Sequence, residues 1–582
     1  MANETPSFMS QLAFGSIEED QLLPYPKMKP ADQELFKNVR GSLEQLFKPH
    51  EHDFRKWDAE GEWPDSFLEE LKQFGLFSLI IPEAHGGMGM STTAYSRTLQ
   101  EISRHDGSVA VTVGAHSSIG MRGLLLFGTD AQKEKYLARL ASGEMLAAFC
   151  LTEPGAGSDA ASIKTHAQDM GDHWLLNGNK LWITNGGIAD FYTVFARTSA
   201  PNEKSQITAF IVTRDLGGVS SGPHEDKMGL RASNTTTVIF ENVKVPKENV
   251  LGEVGRGFKV AMKILNSGRT GIGGGSVGVM KRIIELSTRQ AKERAQFGKP
   301  IAEFGLVKQK LGHMVVDCYA TESAVNMVNH FIDSGHEDYA VEAAITKVFG
   351  SEAMWRTIDE GLQIAGGNGF MREFPYERLL RDARINRIFE GTNDILRLFI
   401  ALTAMNNVGS ELKELAASLK GIFDNPIKGF GVLSDYARRR ASLVTSYVKR
   451  DKQHFTKLHP AVTRQQAVFE ALTAELATAA DRLLRKHGKN IIGKQFASRR
   501  IADAMIDLFV LACTLSRVST SVSEKGAASA TKELEILEVL TGQVGRRVRA
   551  NFAKLEHNDD ELIKSLADHA FDVEAYSWDN VT

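Results

Sequence analysis

The apolar residues change period twice along this chain, and that order limits the available folds more than any other feature. From Pro30 to about Leu146 they recur at helical spacing. Phe67, Leu68, Leu71 and Phe74 share one side of a helix that Asp65 and Ser66 are placed to cap and Gly75 to stop. Near Phe149 the period becomes that of strands. HWLLNGNKLWIT reads as two runs about an Asn177-Gly178 hairpin turn, and ITAFIV (Ile207–Val212) and TTTVIF (Thr235–Phe240) read as further strands. Pro246 and Gly252 close this region. Helical spacing resumes from Gly257 to about Thr403. It returns once more beyond a stretch rich in Gly, Asn and Lys from Asn406 to Gly431. At 582 residues the chain is too long for one core. The expected fold is therefore α+β and multidomain. It comprises an N-terminal α-helical domain (1–148), a central β-domain (149–252), a C-terminal α-domain resembling a four-helix bundle (253–405) and a helical extension (406–582).

Several function classes fall away on composition. The formal net charge is -3, so nothing suggests the strongly basic domain of a nucleic-acid binder. Cys150, Cys318 and Cys513 lie far apart without CxxC spacing, which fits a reducing compartment and neither disulfides nor zinc. No apolar run reaches the roughly 20 residues of a membrane-spanning helix. The first residues, MANETPSFMSQLAFGSIEEDQ, resemble neither a secretion signal nor a transit peptide. The expectation is a cytoplasmic protein, with peripheral association at the inner face of the cell membrane.

Four motifs can carry chemistry, and each also has a structural reading. In FCLTEPGAGSDAASIKT (Phe149–Thr165), Gly155 and Gly157 let backbone N–H groups approach a ligand, or simply form a turn. The motif is not a GxGxxG after a strand, so a Rossmann site is a poor reading. In KLWITNGG, Trp182 and Thr184 are two apart on a strand and face one side. They make a plate for a flat heterocycle, or pack a core. In RAQFGKP, Arg294 and Phe297 share a face at a helix end, where the guanidinium can clamp a diphosphate or lie over a core ring. In QIAGGNGF, Gln363, Gly366 and Gly367 end a helix. In RIFEGTNDILRLF, Glu390 stands between Phe389 and Gly391. It reads as a desolvated carboxylate with a raised pKa, suited to attacking a weak carbon acid, or as a helix cap.

These motifs occur in one order, TEPGAGSD, WITNGG, RxQFGKP, GGNGF and FEGTNDILR, and over residues 30–405 the chain resembles the acyl-CoA dehydrogenase family. The match continues past Thr403, which resembles the very-long-chain branch. The resemblance implies the helix–strand–helix order read above and FAD as cofactor. Phe149, Leu151, Thr152, Gly157 and Ser158 would line the flavin and its phosphates, and Trp182 and Thr184 would face the isoalloxazine. Arg294, Phe297, Gln363, Gly366 and Gly367 would reach the FAD of a second subunit, which implies a homodimer. Thr392 would touch FAD, as would Asp394, where many relatives carry Gln. Ser158, Arg269 and Gly391 would meet the substrate, with Arg269 near its CoA end. Asn266 falls near a position that is often acidic.

The resemblance also implies the chemistry. Glu390 would take the α-proton of a fatty acyl-CoA and flavin N5 the β-hydride, giving a trans-2-enoyl-CoA. The Glu390 N–H and a ribityl hydroxyl would polarise the thioester carbonyl. An electron-transferring flavoprotein would accept the electrons. Some branches carry the base just before the arginine, but here that position is Gly268, which leaves Glu390. Gly120 and Gly123, three apart, would open a channel for a long acyl tail, or let helices pack closely. In the extension, Ile422, Phe423, Phe430 and Leu433 precede Arg438, Arg439, Arg440, Lys449 and Arg450, a pattern that suits an anionic membrane surface or a solvated helix. An acyl-CoA oxidase, a non-catalytic assembly factor and a nucleic-acid-binding relative are the competing readings.

Overall fold

The structure, a computed structural model, describes residues 6–13, 15–199, 206–406 and 454–579. The expected membrane-facing segment, including Arg438–Arg440, lies outside the described residues. The N-terminal domain packs α2 (Pro30–Phe47), α3 (Asp53–Glu60), α4 (Asp65–Phe74), α5 (Thr92–His105), α6 (Gly107–Gly114), α7 (Arg122–Phe127) and α8 (Asp130–Ala141) around an apolar core. Helix α4 buries Phe67, Leu68 and Leu71 and stops at Gly75, whose φ of +84° suits glycine. Pro64 occupies its N-cap with no side-chain bond. Asp65 therefore acts in the first turn through its charge, not as the expected cap. A π-helical turn, Ala115–Gly120, separates α6 from α7.

The central domain is a seven-stranded sheet of β1 (Ala147–Cys150), β2 (His166–Asp169), β3 (His173–Thr184), β4 (Phe191–Arg197), β5 (Ile207–Thr213), β6 (Val219–Ser221) and β7 (Thr235–Pro246). The order is β1-β4-β2-β3-β7-β6, with β5 on β4; β4 runs parallel to β1 and β2, and the other pairs are antiparallel. The expected turn at Asn177-Gly178 is absent. Strand β3 runs straight through the dipeptide, and its register against β7 slips between Leu176 and Gly178. Asn-Gly chemistry serves a bulge here, where a Cβ on Gly178 would stand 2.4 Å from Thr165 Oγ1.

The C-terminal domain comprises α9 (Gly257–Glu293), α10 (Gly305–Asp333), α11 (Ala340–Ala365), α12 (Gly367–Phe370), α13 (Tyr376–Arg384) and α14 (Asn393–Asn406). A small ribbon, β8 (Ala295–Gln296) with β9 (Lys299–Pro300), joins α9 to α10. Helix α9 tolerates its many glycines because α5 presses on them. A Cβ on Gly278 would stand 2.0 Å from Gln100 O. The extension adds α15 (Thr463–His487), α16 (Gln495–Lys525), α17 (Thr531–Ala553) and α18 (Asp560–Val573). Its apolar core is continuous with that of the C-terminal domain. The first helix, α1 (Phe8–Leu12), joins this core and not its sequence neighbours: Phe8 meets Phe509, with ring centres 6.2 Å apart.

Candidate active site

Glu390 sits in the bend between the turn Ile385–Arg387 and α14. It has a φ of +58°, and Gly391 after it has +90°. A left-handed backbone is costly for Glu390 unless the surroundings impose it, whereas Gly391 adopts it freely. Each carbonyl is held by a cation: Arg269 Nε donates to Glu390 O at 3.3 Å, and Lys347 Nζ donates to Gly391 O at 2.7 Å. The side chain turns inward. Its Oε2 is sealed from solvent and takes no hydrogen bond, although the residue as a whole keeps some exposure. A Cβ on Gly268 would lie 3.0 Å from that oxygen and 2.9 Å from Ile119 Cγ2, so the carboxylate occupies the space a side chain on α9 would need. Burial pushes the Glu390 pKa up to about 7, with Arg269 and then Lys347 pulling it back.

Arg269 is itself buried. Its Nη1 donates to Asn266 Oδ1 at 2.8 Å, its guanidinium lies 5.5 Å from the Phe399 ring centre, and burial lowers its pKa to about 10. Arg269, expected near the CoA end of the substrate, thus joins Asn266 to the backbone of Glu390. Lys347, unnoticed in the sequence, is fully buried, and burial lowers its pKa to about 7 against the pull of Glu390. No local pattern distinguishes it from any other lysine on an amphipathic helix.

The flavin-type residues lie mainly on the β-domain. Phe149 is half-buried in β1 and Leu151 is buried just after it, and Leu181 N–H donates to Thr152 O at 2.9 Å, which lays the glycine loop beside Trp182. A second missed pair braces the same place: Lys180 Nζ donates to Glu153 Oε1 at 2.7 Å, and Glu153 also accepts from the N–H groups of Lys164 and Thr165. The register slips again between Lys180 and Ile183, and this bulge turns Trp182 outward with a φ of +57° and 63 % exposure. Thr184 is half-buried; Gly157 and Ser158 are exposed. Trp182 is therefore not core packing.

Arg294 and Phe297 do not share a helical face as expected. Helix α9 ends at Glu293, and Phe297 forms the tip of the β8–β9 ribbon with φ +52°, before Gly298 at +80°, and is 93 % exposed. Gln363, Gly366 and Gly367 lie exposed where α11 gives way to α12. Among the described residues, neither group hydrogen-bonds to the Thr152 loop or to Glu390 in its own chain. Thr392 caps α14 by accepting the Ile395 N–H at 3.2 Å, and Asp394 is exposed in that first turn.

At Gly120 and Gly123 the place a side chain would take is already occupied, which favours close packing over the expected channel. A Cβ on Gly120 would stand 2.7 Å from Ala115 O and 2.9 Å from Ala147 Cβ, and one on Gly123 would stand 2.8 Å from Leu251 Cδ2 and 2.9 Å from Ile264 Cδ1. The missing side chains let the π-turn and α7 pack against β1 and α9, and the space is filled.

The residues present fit a flavin dinucleotide. Trp182 is offered to solvent, Gly155, Gly157, Gly366 and Gly367 face open space, and a buried carboxylate oxygen is without a partner. Among the described residues no cluster suits a metal ion.

Comparison with known proteins agrees with this geometry. The chain matches the acyl-CoA dehydrogenase N-terminal domain over residues 29–144, the middle domain over 148–243 and the C-terminal domain over 255–405. The chain therefore belongs to the acyl-CoA dehydrogenase family, whose members use FAD. Within that family it carries the ACAD9/ACADV C-terminal domain over residues 460–576. It is 45 % identical to the mitochondrial very long-chain specific acyl-CoA dehydrogenase of Homo sapiens, over 95 % of this chain and 85 % of that protein. Among solved structures, an acyl-CoA dehydrogenase from Bacillus anthracis complexed with FAD superposes with a TM-score of 0.80 at 32 % identity, covering 96 % of this chain and 94 % of that one. A chain in the structure of the electron-transferring flavoprotein of Acidaminococcus fermentans matches with a TM-score of 0.62 at 34 % identity, covering 65 % of this chain and 98 % of that one.

Proposed function

We propose that the protein oxidises long-chain fatty acyl-CoA thioesters to trans-2-enoyl-CoA, the opening step of fatty acid β-oxidation, with Glu390 as the base. The observation that carries this is the sealed, unpartnered Glu390 Oε2, raised in basicity by burial and flanked by two buried cations. The α-hydrogen of a thioester is a weak acid, so a carboxylate with a pKa near neutrality is a better acceptor than a solvated one. The Glu390 N–H, for which no acceptor is found among the described residues, would polarise the thioester carbonyl. Arg269 and Lys347 fix the backbone that presents both groups, and burial keeps water from Glu390 Oε2.

FAD, when bound, supplies the two-electron oxidant that takes up the β-hydride. Thr152, Gly157, Ser158, Trp182, Thr184 and Thr392 would hold it from one subunit. The exposed Arg294–Phe297 ribbon and the Gln363–Gly367 turn would complete the site from a second copy, which makes a homodimer the working form. The likeness to a chain from an electron-transferring flavoprotein structure supports such a protein as electron acceptor. Glu390→Gln should bind FAD and acyl-CoA but barely bleach the flavin absorbance in a stopped-flow instrument under nitrogen. Bleaching at the wild-type rate would remove Glu390 from the role of base.

A further inference from the structure

The extension is not confined to the outside of the catalytic domain. On the buried side of α11, Lys347 Nζ donates to Gly391 O and also to Asn393 Oδ1, at 2.8 Å. Asn393 opens α14, and its Nδ2 donates to Ser351 Oγ at 3.0 Å and to Glu352 Oε1 at 3.2 Å. One turn later on α14, Arg397 grips Glu352 with both ends of its fork, at 2.8 and 2.9 Å. The remaining Arg397 nitrogen, Nε, donates to Asp503 Oδ1 at 2.6 Å. Asp503 belongs to α16, in the extension.

We infer that Asp503 and Lys347 are positioning residues for proton abstraction: the extension holds the loop of Glu390 through the chain Asp503–Arg397–Glu352–Asn393–Lys347–Gly391. This rests on Glu390 being the base. The physical need is local. Glu390 and Gly391 are both left-handed, and a loop in that conformation relaxes unless its carbonyls are held. Arg269 and Lys347 hold them, and Lys347 is in turn oriented by Asn393, whose amide is anchored on Glu352. Every link is buried or part-buried and charge-assisted or amide-to-carboxylate, so breaking one end leaves the next group unsatisfied. A neutral donor would satisfy Gly391 O equally well. A protonated lysine adds positive potential beside the carboxylate that must ionise, so each charge favours the other and the two titrate as a pair.

The charged groups around these sites are few. Glu390 faces Arg269 and Lys347. Lys347 faces Glu390 and Glu352 against Arg269 and Arg397. Glu352 lies 4.0 Å from Arg387, and Asp503 lies 3.7 Å from Arg499 and also interacts with Asp507 and Arg547.

The test compares FAD-loaded Asp503→Ala, Asp503→Asn, Lys347→Met and Glu390→Gln with wild type. Single-turnover flavin bleaching by palmitoyl-CoA is read across about pH 6 to 9, and hydrogen exchange is read in the peptide covering 388–393. Asp503→Ala should lower the limiting rate by about tenfold. It should also move the pH midpoint upward, as a loosened cation stabilises the ionised base less, and it should speed exchange at 388–393. Asp503→Asn, which keeps an acceptor oxygen, should recover most of the rate. Lys347→Met should move the midpoint further, and adding Asp503→Ala to it should cost nothing more, because one network is broken once. If Lys347→Met fails to fold, the Asp503 pair decides alone. Asp503→Ala with wild-type rate, midpoint and exchange, or with lowered melting temperature only, overturns the inference while Glu390→Gln still abolishes bleaching. Bleaching retained in Glu390→Gln overturns the base assignment beneath it.

Discussion

At the scale of single residues, the site turns on one atom, Glu390 Oε2, and on the glycine across from it. Gly268→Ala adds a methyl 3.0 Å from that oxygen and so displaces the carboxylate. The rate of flavin bleaching should fall by about tenfold to a hundredfold with FAD content unchanged; an unaltered rate would mean the side chain is not used in the position described. Because burial raises the Glu390 pKa to about 7, bleaching in the wild type should rise with pH through about 7 and level off above it. The same shift has the opposite sign for stability. Between the ordinary carboxylate value and about 7 the folded protein binds more protons than the unfolded chain, so this group's contribution declines as pH rises through that window. The burial of the Glu390 carboxyl and its raised pKa were legible in the sequence because Phe389 and Gly391 already announce desolvation. Lys347 was not, because its partner lies 44 positions away and no window of local pattern contains both.

At the scale of elements, turn chemistry is where sequence and structure part. Asn177-Gly178 carries the signature of a hairpin and serves a bulge inside β3, since a left-handed or bulged backbone asks for the same residue types as a tight turn. Conversely, Phe297-Gly298 forms a ribbon tip that helical spacing concealed. The glycines of the π-turn and α7 are a third instance: periodicity places them on one face but says nothing about what fills it. Gly120→Ala should cost about 1–3 kcal/mol of stability through overpacking against Ala115 and Ala147. Its activity ratio between sixteen-carbon and eight-carbon substrates should stay unchanged. A selective loss of the longer substrate, measured by flavin bleaching, would favour the channel over close packing.

At the scale of the whole molecule, one carboxylate ties three domains together. Glu322 on α10 accepts from Arg97 of α5 at 2.6 Å and from Arg517 of α16 at 3.0 Å, and at 2.5 Å from Lys281 of α9. Burial would raise its pKa, but Lys281, Arg517 and Arg97 more than offset that and bring it down to about 2. A depressed carboxylate stabilises the fold above its unfolded value and stops doing so as pH falls toward its folded one. Glu322→Gln leaves three cations facing one another, and the expected loss is about 3–5 kcal/mol, read from chemical denaturation at neutral pH. A loss under about 1 kcal/mol, the range of surface pairs, would show the cluster to be ornamental to stability. The order of domains was readable from the period of the apolar residues; this cluster was not, since its members stand far apart in the chain.

The N-terminal segment shares that long reach. Ser7 and Met9 bind Glu342, Phe8 meets Phe509, Ser516 donates to Leu22 O, and Tyr25 N–H donates to Thr520 Oγ1 across 495 positions. Residues made early in this stretch of chain thus wait on partners made long after them. At about 5–20 residues per second, synthesis leaves Phe8 without Phe509 for roughly 25 to 100 seconds. During that interval part of α1's apolar surface stands uncovered, and its safe passage falls to whatever shields it until α16 has been made.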